Sequence, residues 1–482
     1  YVVSAAQPSK RFIRTLLDPK TEMEKKFLEE QERRRKRKLP DEIYDVTGWS
    51  VPLMFNVECI LATEKSNGNF EMVKPGPVPG KVEGGKATVA YLVPWGTTAS
   101  GRFLAAALKQ NLRIVSSDKP FTQAGRRYGA GALIIMVKQN ADSVHDTVAK
   151  LAQSSGAEVV STNTSWVEDG PNFGSNNVQY LKRPAVALLW DSPTSGQSAG
   201  HARYVIERQY GYPVTVIRTR QVVAADLSKF HVVILPEGGF GGGYPLELGP
   251  GGIARLKEWV SSGGTIIALG NAVSFLTDSR VGLLNLQVEN LAKEGAAPAS
   301  GSGGGRPSAG AAPAGPPAAG GAGDGRVAGK LLTKDEEYER AIQADTELPD
   351  SVAGVILKAK VDQEQWITAG VPETVNAVVS GRTIYAPIKL DRGINAAVFA
   401  APDQLLQSGY LWEENRKQLA YKPLVVATRN GRGVVVAFTS DPNYRAYVDG
   451  MNIFFLNAIF RGPAHAGGRG ASAAQEEEDH LR

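Results

Sequence analysis

The chain has 482 residues, 42% of them hydrophobic and 21% charged, with a formal net charge of +5. At about 150 residues per domain this length sets an expectation of three domains in a soluble globular protein. So thin a positive balance excludes nucleic-acid binding unless basic residues cluster, no apolar run reaches the roughly 18 residues of a membrane-crossing helix, and the single cysteine, Cys59, excludes an intramolecular disulfide and a cysteine-built metal site.

The chain opens at Tyr1 with no signal-peptide pattern. Tyr1-Val2-Val3 reads as an apolar, β-branched strand with no neighbour before Val57–Leu61, so Tyr1–Ser4 is expected to pair with a sheet from outside the chain. Residues 22–38 place Glu ahead of Arg and Lys, a helix whose charges complement its dipole, and Pro40 stops it. The basic run Arg33–Lys38 has no interleaved aromatic residues and reads as a solvated helix end.

An α/β rhythm begins at Lys86. Strands are expected at Thr88–Val93, Leu133–Val137 and Glu158–Ser161, with helices at Ser100–Gln110 and Ser143–Ser154. The rhythm repeats with strands Ala185–Trp190, Val214–Ile217, His231–Leu235 and Thr265–Leu269 and helices Ala202–Tyr210 and Ile253–Ser261. Short apolar strands alternating with helices predict a parallel sheet covered on both faces. All of Gly295–Gly325 except Arg306 and Asp324 is Gly, Ala, Pro or Ser, a composition that predicts a disordered insertion. Strands follow at Val352–Ala359, Thr383–Ile388, Leu424–Thr428 and Val434–Thr439, the last two joined by the Gly-rich loop Arg429–Gly433, and Tyr444–Phe460 closes the fold as a helix. The expected organisation is thus a connector over 1–85, a small α/β domain over 86–182, a larger α/β domain over 183–463 carrying the insertion 295–325, and a polar tail over 464–482.

The five histidines (His145, His201, His231, His465 and His480) form no His-x-x-Glu or His-x-x-x-His pattern, so the chain is expected to bind no cofactor and build no zinc site. In open α/β sheets ligands sit at the carboxyl ends of strands, and a nucleophile is presented on the elbow after one of them. The elbow after Thr265–Leu269 carries Asn271, which is no nucleophile. The loop Pro236–Gly243 is rich enough in glycine for an anion nest, but Glu237 would repel a phosphate. Asp191 ends a strand, and Asp441 or Asn443 caps the last helix, with Arg445 placed to pair with Asp441 or a ligand carboxylate. The ligand candidates are Asp191, Glu237, Asn271 and Arg445; catalytic and metal residues are none.

Several segments carry a family resemblance: Asp41–Leu53 (DEIYDVTGWSVPL), Asn172–Ser175 (NFGS), Arg203–Glu207 (RYVIE), Ser408–Trp412 (SGYLW), Gly431–Phe438 (GRGVVVAF), and Asp441–Arg445 (DPNYR) running on to Leu456–Ala458. Their order resembles the region that follows the catalytic domain in large secreted bacterial zinc carboxypeptidases of the carboxypeptidase A-like metallopeptidase family. The resemblance implies an upstream peptidase domain with its own zinc, none of whose ligands can be placed on this sequence. It also implies export to the periplasm or beyond, and a second α/β domain of flavodoxin-like, class I glutamine amidotransferase-like fold that has lost its cysteine. On this basis the chain is expected to be a non-catalytic support or assembly module, with the upstream peptidase domain or another copy of itself as partner, a homo-oligomer in the latter case, and no nucleic acid. The alternative is a self-standing extracellular structural protein on the same catalytically dead scaffold.

Overall fold

A computed structural model describes residues 1–20, 22–37, 39–43, 46–64, 66–73, 76, 78–239, 243–292, 333–334 and 347–467. Two compact units divide the chain, one of Tyr1–Glu289 with Asp350–Arg482, the other of Asn290–Pro349. Gly295–Gly325 and residues 468–482 of the tail lie outside the described residues. In the second unit the Leu291 N–H donates to the Glu347 carbonyl at 2.6 Å.

The first unit opens with helices Lys10–Leu17 and Lys25–Lys36, the latter shorter at both ends than the charge pattern suggests. Its basic end is held by the body of the unit. Arg35 lies 4.8 Å over the Trp412 ring and pairs with Glu32, Asp350 and Glu414 at 2.9, 2.8 and 3.1 Å. Thr47 and Gly48 then donate their N–H groups to the Gly354 carbonyl at 2.8 and 2.9 Å. Only glycine fits at position 48, because a Cβ would stand 2.8 Å from both the Ile356 nitrogen and the Ser408 oxygen. Within the chain Tyr1–Ser4 has no strand partner, and Val57–Leu61 is irregular, with Ile60 and Leu61 exposed. Apolar β-branched residues favour a strand only where a neighbour accepts their hydrogen bonds.

Eight strands follow: β1 (Lys81–Glu83), β2 (Ala90–Val93), β3 (Val115–Ser117), β4 (Phe121–Gln123), β5 (Arg126–Tyr128), β6 (Leu133–Met136), β7 (Glu158–Thr162) and β8 (Val178–Tyr180). Six form a sheet in the order β1-β7-β2-β6-β3-β8, and β4 and β5 form a hairpin. Only the β1–β7 pair of that sheet is parallel. Helices Thr98–Lys109 and Val144–Ser155 bury the expected stripes, Phe103, Leu104, Ala107 and Leu108 on one and Val144, Val148 and Leu151 on the other. Burying each such aliphatic or aromatic side chain stabilises the fold by about 1.5–3 kcal/mol.

The larger sheet takes β9 (Val186–Trp190), β10 (Thr215–Arg218), β11 (Val232–Leu235), β12 (Thr265–Leu269), β13 (Val352–Val361), β14 (Thr374–Gly381), β15 (Ile394–Phe399), β16 (Leu406–Ser408), β17 (Pro423–Asn430) and β18 (Gly433–Phe438). Its order is β10-β9-β11-β12-β18-β17-β15-β13-β14, with β16 beside β13. The strands from β10 to β18 are mutually parallel, and from β17 onward the pairing is antiparallel. The fold class is therefore α/β, with a helical N-terminal segment ahead of two sheets. The expected strand Thr383–Ile388 is reduced to one bridge between Tyr385 and Val288, while β14 and β15 take places in the sheet.

The last helix is broken. Short 3-10 turns at Tyr444–Ala446 and Asp449–Met451 precede an α-helical turn, Asn452–Leu456, and a π-helical turn, Asn457–Arg461. That π turn joins the two sheets. Asn457, fully buried, donates to the carbonyls of Ile367 and Ala369, both at 2.8 Å, and accepts from Trp95 Nε1 at 3.0 Å. Arg461, also buried, bonds Ser116 Oγ and pairs with Asp118 at 2.6 Å.

Candidate functional site

Four neighbouring parallel strands, β9, β11, β12 and β18, end at the same edge of the larger sheet. Their loops deliver Asp191, Glu237, Asn271 and Asp441 to that edge. This is where the strand-end rule for open α/β sheets places a ligand.

The loops are tied together through one hydroxyl and one amide. Ser198, in the first turn of the Gly196–Tyr204 helix, donates from Oγ to Asp441 Oδ2 at 2.6 Å and accepts the Glu237 N–H at 3.1 Å. Asn271 closes on the Gly238 peptide from both sides, accepting its N–H at 2.5 Å and donating to its carbonyl at 3.0 Å. The Ser195 N–H reaches the Glu237 carbonyl at 2.7 Å, so the loop after β9 is stitched to the loop after β11. Gly270 makes the elbow possible. It has φ +53°, and a Cβ there would lie 1.9 Å from Glu237 Oε1.

Both carboxyl groups resist ionisation. Burial pushes Glu237 up to about 7, and the nearby Asp441 pushes in the same direction, against the Asn271 backbone N–H. Burial pushes Asp441 up to about 6, restrained by hydrogen bonds from Ser198 and the Asn443 N–H. Desolvation disfavours the charged form of a carboxyl, and a like-charged neighbour adds to the effect. The Ser198 hydroxyl is committed to Asp441 and Glu237, with no histidine among its hydrogen-bond partners.

The sequence candidates do not all converge. Glu237 and Asn271 meet, as the hydrogen bonds above show. Asp191 has φ +69° and turns its carboxylate to the Ser192 N–H at 2.9 Å and to Arg218 at 3.9 Å. Arg445 stacks over Trp49 and Tyr444, 5.2 Å from each ring, and its backbone N–H goes to His201 Nδ1 at 3.1 Å. Asp441 bonds the Asn443 N–H at 2.8 Å, a local turn ahead of the broken helix. Phe240, Gly241 and Gly242 of the glycine-rich loop lie outside the described residues. Sequence reading missed Ser198 and the pairing of Asp441 with Glu237. Knowing that β18 lies beside β12 would have placed Asp441 on the same edge as Glu237 and Asn271.

The described histidines serve local contacts. His145 bonds the Tyr91 hydroxyl at 2.7 Å, His231 accepts the Ala185 N–H at 3.0 Å, and His465 stacks on Trp366 with ring centroids 4.6 Å apart. His480 lies outside the described residues. Among the described residues no three His, Cys, Asp or Glu side chains converge to hold a metal ion, and no helix is long and apolar enough to cross a membrane.

No protein-family model matches the chain, and no curated protein does. Solved structures similar to it include a ThuA-like protein from Parabacteroides merdae, at 12% identity over 59% of this chain and 91% of that one, with a TM-score of 0.35. A cytoplasmic protein from Salmonella typhimurium is 12% identical over 57% of this chain and 99% of its own length, with a TM-score of 0.31. A glutamine amidotransferase from Thermotoga maritima is 8% identical over 53% of this chain and 74% of its own, with a TM-score of 0.30.

Proposed function

We propose that this chain is a non-catalytic support or assembly module, the portion of a secreted zinc metallocarboxypeptidase-like protein that follows its peptidase domain. The observation that carries the reading is the elbow after β12. The position where such a sheet would present a nucleophile holds Asn271, and both ends of its amide are spent on the Gly238 peptide. A side chain used to lock two loops cannot also attack a substrate. The anchoring of Arg35, Thr47 and Gly48 on the body of the unit fits the same role, because it fixes the incoming chain rigidly. In this reading zinc and peptidase activity belong to sequence ahead of Tyr1, encoding a His-x-x-Glu, a later His and a general-base Glu.

The test is to assay residues 1–482 alone for zinc, for carboxypeptidase activity and for ammonia release from glutamine. All three are expected at background, and Asn271→Cys is expected to remain inactive, since a thiol needs a base beside it. One zinc per chain, or an activity abolished by Asn271→Ala, would overturn the proposal.

A further inference from the structure

The strand-forming stretch Val57–Leu61 is left uncovered by its own chain. Ile60 and Leu61 are 78% and 80% exposed, and Phe70, Met72 and Val73 farther along the same segment are exposed as well. The Val57 N–H bonds the Pro52 carbonyl at 2.9 Å. From Glu58 to Leu61 no backbone group has a hydrogen-bond partner among the described residues. An extended apolar segment with free N–H and C=O groups is ready to add to a sheet edge.

The larger sheet has such an edge. β10 ends its strand order and pairs with β9 alone. Among the described residues nothing bonds the outward side of the β10 backbone. Thr215, Val216 and Arg218 are exposed, and Arg218 meets a carboxylate, that of Asp191, only at 3.9 Å. An open strand side is a template for another extended chain. Arm and edge cannot meet within one molecule. Asn56, directly ahead of Val57, is held at the opposite margin of the sheet. Its Nδ2 donates to the Thr374 carbonyl at 3.1 Å and its Oδ1 accepts from Asn376 Nδ2 at 3.3 Å, both on β14. Eight strand spacings separate β14 from β10 in the sheet order, roughly 38 Å at about 4.8 Å each.

We propose that Val57–Leu61 of one copy adds as a strand to the open side of β10 in a second copy. Glu58 is the single charge between Val57 and Thr63. Laid antiparallel with Glu58 opposite Arg218, the added strand sets Ile60 opposite Val216, so opposite charges meet and the exposed apolar side chains cover each other. The arm leaves from one margin of the sheet and the receiving edge is the other. Each copy therefore gives one strand and takes one, and copies add head to tail into chains or closed rings. The inference rests on the assembly role proposed above and gives it a means of contact.

The experiment is sedimentation velocity on the full chain over a wide range of concentration, under reducing conditions because Cys59 is exposed. Concentration-dependent association past the dimer is expected. Neighbouring residues of a strand point their N–H groups to opposite sides, so Ile60→Pro/Leu61→Pro removes a ladder bond in either register. That variant, and Val216→Lys on the receiving edge, should each weaken association about tenfold or more. Ile60→Val/Leu61→Val keeps the strand and should associate like the wild type, which separates lost pairing from a folding defect. Mixing the proline variant with Val216→Lys should give a species that stops at the dimer, since one keeps its edge and the other its arm. A wild-type chain that stays monomeric would overturn the proposal, as would a mixture without a dimer or a proline variant that associates like the wild type. The readout is size alone, so it fails separately from the zinc and activity assays of the proposed role.

Discussion

Replacing Glu237 by glutamine tests whether the carboxyl edge stores an unfavourable charge. The ordinary glutamate value is 4.5, and burial with Asp441 nearby lifts the folded-state value to about 7. Below pH 4.5 folded and unfolded chains both hold the proton, and the group contributes nothing to the pH dependence. Between 4.5 and 7 the unfolded chain releases its proton while the folded one keeps it, so stability falls as pH rises. Above 7 the penalty is fully developed. At ~1.4 kcal/mol per pKa unit the shift corresponds to about 3 kcal/mol. Screening of this partly exposed group, and its coupling to Asp441, lower the expectation to about 1–3 kcal/mol. Glutamine keeps the size and can still accept the Asn271 N–H. Urea unfolding of the Glu237→Gln protein should therefore show no change at pH 4 and about 1–3 kcal/mol of stabilisation at pH 8. Equal effects at the two pH values, or destabilisation confined to pH 8, would refute the electrostatic reasoning.

Three other substitutions probe the joints of the fold. Gly270→Ala places a methyl group on the Glu237 side chain in a left-handed backbone, and should cost about 2–4 kcal/mol by urea unfolding; combining it with Glu237→Gly should recover part of the loss. Arg461→Leu strands the carboxylate of Asp118 and should cost about 3–5 kcal/mol, while adding Asp118→Asn restores part of it, as a double-mutant cycle would show. Gly48→Ala pushes the residues 46–56 segment off β13 and should bring faster proteolysis near the N-terminus while the rest of the unit stays protected, which hydrogen exchange would map.

The parallel half of the larger sheet could be read from the sequence because each of its strands is a short, wholly buried run such as Val232–Leu235 or Thr265–Leu269. The two helices of the smaller sheet were legible for the same reason, since their apolar stripes repeat over three turns. Strands β1, β3, β4, β5 and β8 have three residues each, too few to display a period. Val57–Leu61 shows the opposite failure, strand-forming residues without a partner. At the site, Glu237 and Asn271 were found because each directly follows a legible strand. Ser198 was not, because nothing about a serine in the first turn of a helix announces a hydrogen bond to residue 441. Such a contact belongs to the sheet order, which periodicity does not encode.

That sheet order also sets a timetable for folding. Thr265 lies opposite Val434, so β12 must wait for its inner neighbour until the whole of the intervening chain has been made. The polar pins between the two sheets, Asn457 and Arg461, arrive later still. A nascent chain therefore emerges with β9, β11 and β12 assembled as a sheet of unfinished width, its apolar margin uncovered. Pairing across so long a loop is slow, and an uncovered strand margin invites the wrong partner. This protein should accordingly depend on holding chaperones during synthesis far more than its well-packed final core suggests.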